Sequence, residues 1–526
     1  MKRSLIRWAL FLKGKAWQTV RYIPVVLIVL MFVIFFIGPL ITSKSLIFRI
    51  QRGTQDEIVY DLFLISSYYY PNSTSLGDNA VSLLLTGNYE AIKMGGLRII
   101  AWNDTANAII SLPLARITPH NVCHWISMKA LGTTLPNMTN MALILGGRYQ
   151  NIPYRLPEYR KYDVVTCVAP LFANEQWQYA LFAAHTYKRF GAFMHLYVRS
   201  MVTPMLEMLK IYEKEGYLRI QPWMRINLQT IDEDLFNPNI NIEFRNQAAA
   251  QTDCLLQYKE SASYISFMDL DDILIPRIGK TYLDEYNYFF TVLPQAAYIH
   301  YSKENVAVKG QRSPEKFSLA QMYSSIYFKQ VNETGKFVTR PHLINATWIH
   351  WPTHIQRNMQ SYVIPPNLNA ITHLKLMDDD TSPADRNMIR EPLFEPKIYF
   401  ENEVVFTNST ERKPLLYRRD IAWIQEDLER MLRIPEVKAL FALLPKDLFY
   451  FNIILKCFND TYYQYHYSGQ MNKITCPGPE RCHFPANPGI NCSNSDGDYL
   501  STSDNKLVNI HFVTQQHFRV EDGCKP

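Results

Sequence analysis

Between residues 162 and 276 the chain alternates strand and helix patterns four times, an order that few folds can accommodate. "DVVTCVAPLF" (163–172) is a β-rich apolar run, and residues 174–190 set Trp177, Leu181, Ala184 and Tyr187 at helical spacing behind Asn174 as N-cap. Gly191 ends that helix, and "AFMHLYV" (192–198) reads as a second strand. Pro204 opens a helix that Gly216 stops, "YLRIQPW" (217–223) follows as a third strand, and residues 246–262 form the next helix. "YISFMDL" (264–270) is the fourth strand. Such alternation calls for right-handed crossovers and a largely parallel α/β sheet of Rossmann type with flanking helices. Ligands of these sheets bind beyond the carboxyl ends of the strands, where the strand order reverses.

The fourth strand runs into that edge with three carboxylates in four positions, Asp269, Asp271 and Asp272, in "FMDLDDILIP". Like charges so close repel, and burying them unpaired is costly, so a cation is the usual remedy. Two enzyme classes place Asp-x-Asp in such a setting. In GT-A glycosyltransferases the acids hold a divalent ion that bridges the donor diphosphate and offsets the charge on the leaving group. In haloacid-dehalogenase-type phosphatases the first Asp is a nucleophile. The phosphatase motif closes the first strand of its domain, whereas three strand–helix units precede this one, and Ile273 stands where that pattern prefers Thr or Val.

"CVAPLFANEQW", "YEKEG" and "RNQAAAQTDCLLQYKESASYISFMDLDDILIP" resemble glycosyltransferase family 92, in an expanded nematode-type branch, over about residues 160–380. The resemblance implies a GT-A-like fold and inverting transfer of a hexose, galactose from UDP-galactose foremost, to a glycan acceptor on a glycoprotein or polysaccharide. It implies a divalent ion, Mn²⁺ first and Mg²⁺ second, as hard oxygen ligands favour. The chain departs from the family pattern at Asp272, where Glu is usual, and at "HLK" (373–375), where His-Tyr-Arg is usual. The second departure keeps open a non-enzyme alternative, a membrane-anchored glycan-binding protein that has lost catalysis.

Strand alternation puts Asp269 and Asp271 on one side as metal ligands, with Asp272 facing the other way toward donor hydroxyls or a turn. His373 is the expected third ligand and His350 the runner-up. Arg245, Asn246 and Gln247 open the helix before the acidic strand, a position suited to phosphate or nucleotide contacts. No catalytic base stands out among Glu285, Glu304 and Glu315.

Near the N-terminus, residues 23–41 carry no charge, just long enough to span a bilayer, and six Lys or Arg residues precede them. The expected organisation is a cytoplasmic tail (1–22), a transmembrane signal anchor (23–42), a stem (43–85) and a β-rich module (86–160). A catalytic domain (161–400) and a helical, Cys-rich C-terminal extension (401–526) follow. This predicts a single-pass type II protein with its catalytic domain in the Golgi lumen. Eight Asn-x-Ser/Thr sequons fit that compartment, at Asn72, Asn103, Asn137, Asn332, Asn345, Asn408, Asn459 and Asn491. Eight cysteines there favour disulfides over zinc; Cys167 and Cys254 are either bonded or simply buried. A net charge of +6, clustered only in the first 22 residues, offers nucleic acid no binding stripe.

Overall fold

The computed structural model describes residues 60–377 and 416–526, apart from 230, 309, 486, 488 and 504–506. The apolar stretch 23–41 lies outside the described residues, among which no helix is long and apolar enough to cross a membrane.

Two large sheets organise the chain. Seven strands come from its beginning: β1 (Tyr60–Tyr70), β2 (Ala80–Asn88), β3 (Gly96–Trp102), β4 (Asn107–Arg116), β5 (Trp125–Thr133), β6 (Asn140–Leu145) and β7 (Arg148–Asn151). The second sheet begins with β8 (Tyr162–Leu171), α1 (Trp177–Phe190) and β9 (Ala192–Val198). The short β10 (Ser200–Val202), α2 (Thr203–Lys214) and β11 (Leu218–Pro222) come next, then α3 (Gln247–Tyr258) and β12 (Ala262–Met268). The predicted alternation is therefore present, element by element.

β11, β9, β8 and β12 lie side by side in that order and all parallel. The chain enters at β8, steps outward to β9 and β11, then returns to place β12 on the other side of β8. Strand order thus reverses between β8 and β12, and the acidic motif leaves the carboxyl end of β12, at the switch point. The Asp-bearing strand is the fourth of its sheet in chain order, not the first that the phosphatase pattern requires.

Beyond β12 the sheet becomes mixed. β13 (Asp272–Leu274), α4 (Tyr282–Val292), β14 (Ala296–Val308), β15 (Tyr327–Thr339), β16 (Ile344–Thr347), β17 (Pro352–Ile355), β18 (Gln360–Ile364) and β19 (Ile371–Met377) follow. β15 pairs antiparallel with both β12 and β14, β19 runs parallel to β14, and β13 pairs antiparallel with β19.

α3 is the hinge of the whole assembly. All twelve of its residues are buried, because it packs against β8 and β12 on one side and β1 and β2 on the other. Ala248, Ala249 and Ala250 keep that double contact close. Asp253, fully buried at its centre, accepts hydrogen bonds from Tyr68 (3.0 Å), Tyr197 (2.8 Å) and Gln221 (3.1 Å), with Arg155 3.8 Å away. Burial alone would raise its pKa; the Arg155 charge and these hydrogen bonds hold it below the ordinary carboxylate range.

Residues 60–70 and 80–85, expected to lie in the stem, are instead strands of the N-terminal sheet. "YDLFLISSYYY" is buried along most of its length on both faces, so it shows none of the in–out alternation that marks a half-exposed strand. The C-terminal region also joins that sheet. After α5 (Arg418–Leu432), α6 (Pro435–Ala442) and α7 (Tyr450–Phe458), the hairpin β20 (Asn491–Ser503) and β21 (Val508–Asp522) docks with β21 parallel to β1 and β20 against β10. Four disulfides close the arrangement: Cys123–Cys476, Cys167–Cys254, Cys457–Cys482 and Cys492–Cys524. Of the sequon asparagines, Asn72, Asn137 and Asn491 are exposed, while Asn103, Asn345 and Asn459 are half-buried. Asn408 and the Asn332 side chain lie outside the described residues.

Candidate active site

β12 stops at Met268, and residues 269–272 make a tight turn closed by a hydrogen bond from the Asp272 N–H to the Asp269 carbonyl (3.1 Å). The Leu374 N–H donates to the Asp271 carbonyl (2.9 Å), and Asp272 begins β13 directly opposite His373 on β19. Because the strand has ended, period-2 alternation no longer governs the three carboxylates. Asp271, Asp272 and His373 gather with their ligand atoms within 4.8 Å of one another. His373 Nε2 lies 3.5 Å from Asp271 Oδ2, and Nδ1 lies 3.5 Å from Asp272 Oδ1.

Asp269 turns elsewhere. It pairs with Lys336 of β15 at 2.9 Å and Lys303 of β14 at 3.7 Å, and accepts a hydrogen bond from Gln247 Nε2 at 2.9 Å. Lys303 also sits 2.6 Å from Asp272. Three carboxylates are thus interleaved with two buried ammonium groups. Burial alone would lift the Asp269 carboxyl, but Lys336 and Lys303 outweigh it and hold it far below the usual carboxylate range. For Asp272, fully buried, desolvation wins over Lys303 and His373 and its pKa is raised. Asp271 is lowered: burial is overcome by His373. Burial disfavours the charged Lys303, yet Asp272 and Asp269 reverse that, and the ammonium form is strengthened.

A divalent ion fits this donor set. Asp272 Oδ1 and His373 Nδ1 are both buried, 3.5 Å apart, and neither makes a hydrogen bond. Such orphaned atoms on hard oxygen and imidazole ligands suit Mn²⁺ or Mg²⁺, with Asp271, Asp272 and His373 as the holding residues.

The other expected contacts divide. Gln247 reaches the site through Asp269. Arg245 lies with its guanidinium 4.0 Å from the Phe172 ring centroid, and burial lowers its pKa to about 10, with Asp269 and Asp271 opposing. Asn246 faces away, donating to Thr86 Oγ1 (2.7 Å) and accepting from Ser127 Oγ (2.9 Å) in the N-terminal sheet. Phe244, Arg245 and Asn246 all have positive φ (39°, 58° and 64°), so the chain turns left-handed just before α3. His350 donates from Nδ1 to the Gly335 carbonyl (2.9 Å), beside Lys336.

Of the three candidate bases, Glu285 is wholly buried and accepts from the backbone N–H groups of Arg277 and Ile278 and from Asn369 and Tyr301. It fastens the segment after the acidic turn and is structural. Glu315 is exposed and paired with Lys446. Glu304 is buried in β14 beside Thr372. Sequence reasoning missed Lys303 and Lys336. Neither stands out locally: β14 reads AAYIHYSKENVAV and β15 YFKQVNETGKFVT, and a lysine among so many polar neighbours gives no sign of being buried.

Residues 162–432 match the model of glycosyltransferase family 92. Two proteins of Caenorhabditis elegans are similar over nearly the whole chain. Glycosyltransferase family 92 protein F13G3.3 is 41% identical, over 89% of this chain and 90% of its own. Glycosyltransferase family 92 protein C33H5.2 is 39% identical, over 91% and 93%. A galactan beta-1,4-galactosyltransferase of Arabidopsis thaliana, GALS3, is 20% identical over 46% of this chain and 48% of its own. Among solved structures, S. aureus TarS 1–349 superimposes with a TM-score of 0.19 and 12% identity over 35% of this chain and 48% of its own, too weak to bear on fold or ligand. With the acidic turn at the switch point and near-full-length similarity at this level, the chain is a glycosyltransferase and belongs to glycosyltransferase family 92.

Proposed function

We propose that this glycosyltransferase moves a hexose from a UDP-hexose, galactose foremost, to a glycan acceptor with inversion, using a divalent ion, in the lumen of the Golgi. The observation that carries the reading is the gathering of Asp271, Asp272 and His373 at the strand-order switch. A divalent ion there supplies charge to the departing diphosphate. The chain's own residues do the rest. Asp269 is held ionised by Lys336 and Lys303 and fixed by Gln247, so it presents a preorganised acceptor to donor hydroxyls. Lys303, shared between Asp269 and Asp272, sets the spacing of the acidic turn. The acceptor oxygen attacks the anomeric carbon from the face opposite the diphosphate, the bond to the diphosphate breaks, and the acceptor proton leaves to a base.

The galactose preference is supported by the printed activity of the Arabidopsis relative. The luminal, type II placement is supported by the uncharged stretch 23–41 with its basic flank and by eight cysteines joined as four disulfides, a pattern of oxidising compartments. The test is transfer by the full chain in detergent from UDP-galactose, UDP-glucose and UDP-N-acetylglucosamine to fucosylated and galactan acceptors, with Mn²⁺ or with chelator. Galactose transfer that needs Mn²⁺ and gives a β-linked product from the α-linked donor is expected. A retained anomeric configuration, or full activity in chelator, overturns the corresponding part of the proposal.

A further inference from the structure

Away from the acidic cluster, a cleft of about 380 Å³ opens where three parts of the chain meet: β1, the edge strand β11, and β21 of the C-terminal hairpin. β11 lies three strands from β12, about 14 Å across the sheet at ~4.8 Å per strand, so this is not the site at the switch point. Fourteen residues line the cleft; two are arginines, Arg155 and Arg219, and none is acidic. Its polar wall includes Ser66, Gln221, Thr514 and Gln516.

The two arginines are prepared differently. Arg155 is fixed by backbone hydrogen bonds to β1, its N–H to the Ser67 carbonyl (2.9 Å) and its carbonyl to the Tyr69 N–H (3.0 Å). Its guanidinium lies 5.5 Å from the Tyr68 ring centroid and 3.8 Å from Asp253, yet 39% of the side chain remains exposed. Gln221, on the same wall, is held by its own hydrogen bond to Asp253 (3.1 Å). The Asp253 cluster therefore fixes one guanidinium and one amide in the lining of the cleft. Arg219 stands on the edge strand, exposed, opposite His195 of β9. Arg155 is balanced from beneath by Asp253, so Arg219, with no carboxylate among the lining residues, supplies the net positive charge of the cleft, and guanidiniums so placed are a recognition element for a planar or tetrahedral oxyanion. Hydroxyl and amide groups around them suit sugar hydroxyls, and a cleft this size holds a small saccharide.

We infer that this cleft binds an anionic saccharide, a sugar bearing a carboxylate or a phosphate, through Arg155 and Arg219. It would anchor a part of the acceptor distant from the reacting hydroxyl. The assignment to acceptor rests on the transferase reading; the binding of an acidic sugar does not. The cleft exists only where β1, β11 and β21 meet, so it depends on the docking of the C-terminal hairpin against β1.

The test is calorimetric titration of the full chain in detergent with methyl β-glucuronide, glucose 6-phosphate and neutral methyl β-glucoside, alongside UDP with Mn²⁺. At least one acidic sugar binds at least tenfold more tightly than the neutral one, and which of the two does so identifies carboxylate or phosphate. Arg219→Gln and the rim-filling Thr514→Trp each weaken that binding at least tenfold and leave UDP binding unchanged; neither touches the Asp253 cluster. Equal binding of the neutral sugar, no binding of either acid, or acid binding unchanged in both variants overturns the inference. Failure of UDP and Mn²⁺ to bind the unaltered chain counts against the transferase reading alone, and the acidic-sugar result is read separately.

Discussion

His373 on β19 stands directly across the strand pair from Asp272 on β13, its Nδ1 3.5 Å from Asp272 Oδ1 and its Nε2 3.5 Å from Asp271 Oδ2. The ring thus bridges two carboxylates that the turn after β12 brings to one side, while Asp269 is bound to lysines. The arrangement separates the three acids by role. Asp271→Asn and His373→Ala are expected to lower Mn²⁺ affinity at least about tenfold, comparable to the loss of a group that orients or holds a metal ligand. Asp269→Asn, still able to accept from Gln247, is expected to leave Mn²⁺ affinity within about threefold. Titration of Mn²⁺ into the three variants, followed by electron paramagnetic resonance of the free ion, distinguishes this grouping from the Asp269–Asp271 pair that strand alternation suggests.

The Lys336–Asp269 pair makes a stability prediction. Lys336 is fully buried, and Lys336→Met leaves the Asp269 carboxylate with only the more distant Lys303, 3.7 Å away. Removing one partner of a buried pair costs roughly 3–5 kcal/mol, and the partial exposure of Asp269 reduces this to about 2 kcal/mol. Asp269→Asn in the same chain removes the stranded charge and recovers at least half of the loss. Denaturant unfolding of the two single variants and the double variant gives the coupling directly. Additive single effects would show that the two side chains do not act as a pair.

How much of this was legible in the sequence depended on which forces left a local trace. The four strand–helix units were, because a helix stripe such as Trp177, Leu181 and Ala184 and the left-handed stop at Gly191 are written within a few residues. Their strand order was not, because crossover handedness fixes the face a helix crosses and not the direction in which the next strand is added; the acids were expected at the carboxyl edge of the fourth strand, and the fold makes that edge the switch point. β1 was read as stem because burial on both faces erases alternation, and its pairing with β21, more than four hundred residues away, leaves no local signal. The acidic turn and His373 were singled out, but Asp269 was expected as a ligand and Asp272 as a donor contact, whereas the fold gathers Asp271, Asp272 and His373 and pairs Asp269 with lysines, because alternation was carried past the end of β12 at Met268. Asn246 was read as a donor contact from its helix-opening position; its partners Thr86 and Ser127 come from a sheet whose docking only the folded chain reveals.

Glu175 gives the fold a pH dependence of definite sign. It is 1% exposed two residues before α1, accepts a hydrogen bond from the Phe451 N–H (2.8 Å), and burial raises its pKa to about 7 against the opposing backbone N–H groups of residues 449–451. A carboxyl with a raised folded-state pKa binds more protons folded than unfolded between about pH 4.5 and 7. Stability from this group is therefore complete at low pH and is lost as pH rises through that window, by about 3 kcal/mol for a shift of this size. Glu175→Gln is expected to remove that slope, making the chain more stable than the unaltered protein at pH 8 and about equal to it at pH 4.5. Urea midpoints at the two pH values, compared within each pH, provide the check; an unaltered slope would rule out Glu175 as its source.

Cys167 on β8 and Cys254 on α3 are joined across 87 residues, tying the first strand of the parallel sheet to the helix that both sheets share. Constraining a loop of that length in the unfolded chain is worth about 4.6 kcal/mol. Both sulfurs are fully buried, so Cys167→Ala with Cys254→Ala loses the cross-link and leaves little room for repair by repacking. Yet Asp271, Asp272 and His373 are carried by the turn after β12, by β13 and by β19, none of which includes α3. The double variant is therefore expected to unfold at lower denaturant while keeping Mn²⁺ affinity within about threefold at temperatures where it remains folded. UDP binding, if it uses Asp269, should weaken more than Mn²⁺ binding does, because Gln247 reaches Asp269 from the first turn of α3. A loss of metal and nucleotide binding in equal measure would mean that the acidic turn takes its geometry from the helix rather than from the strand pair opposite it.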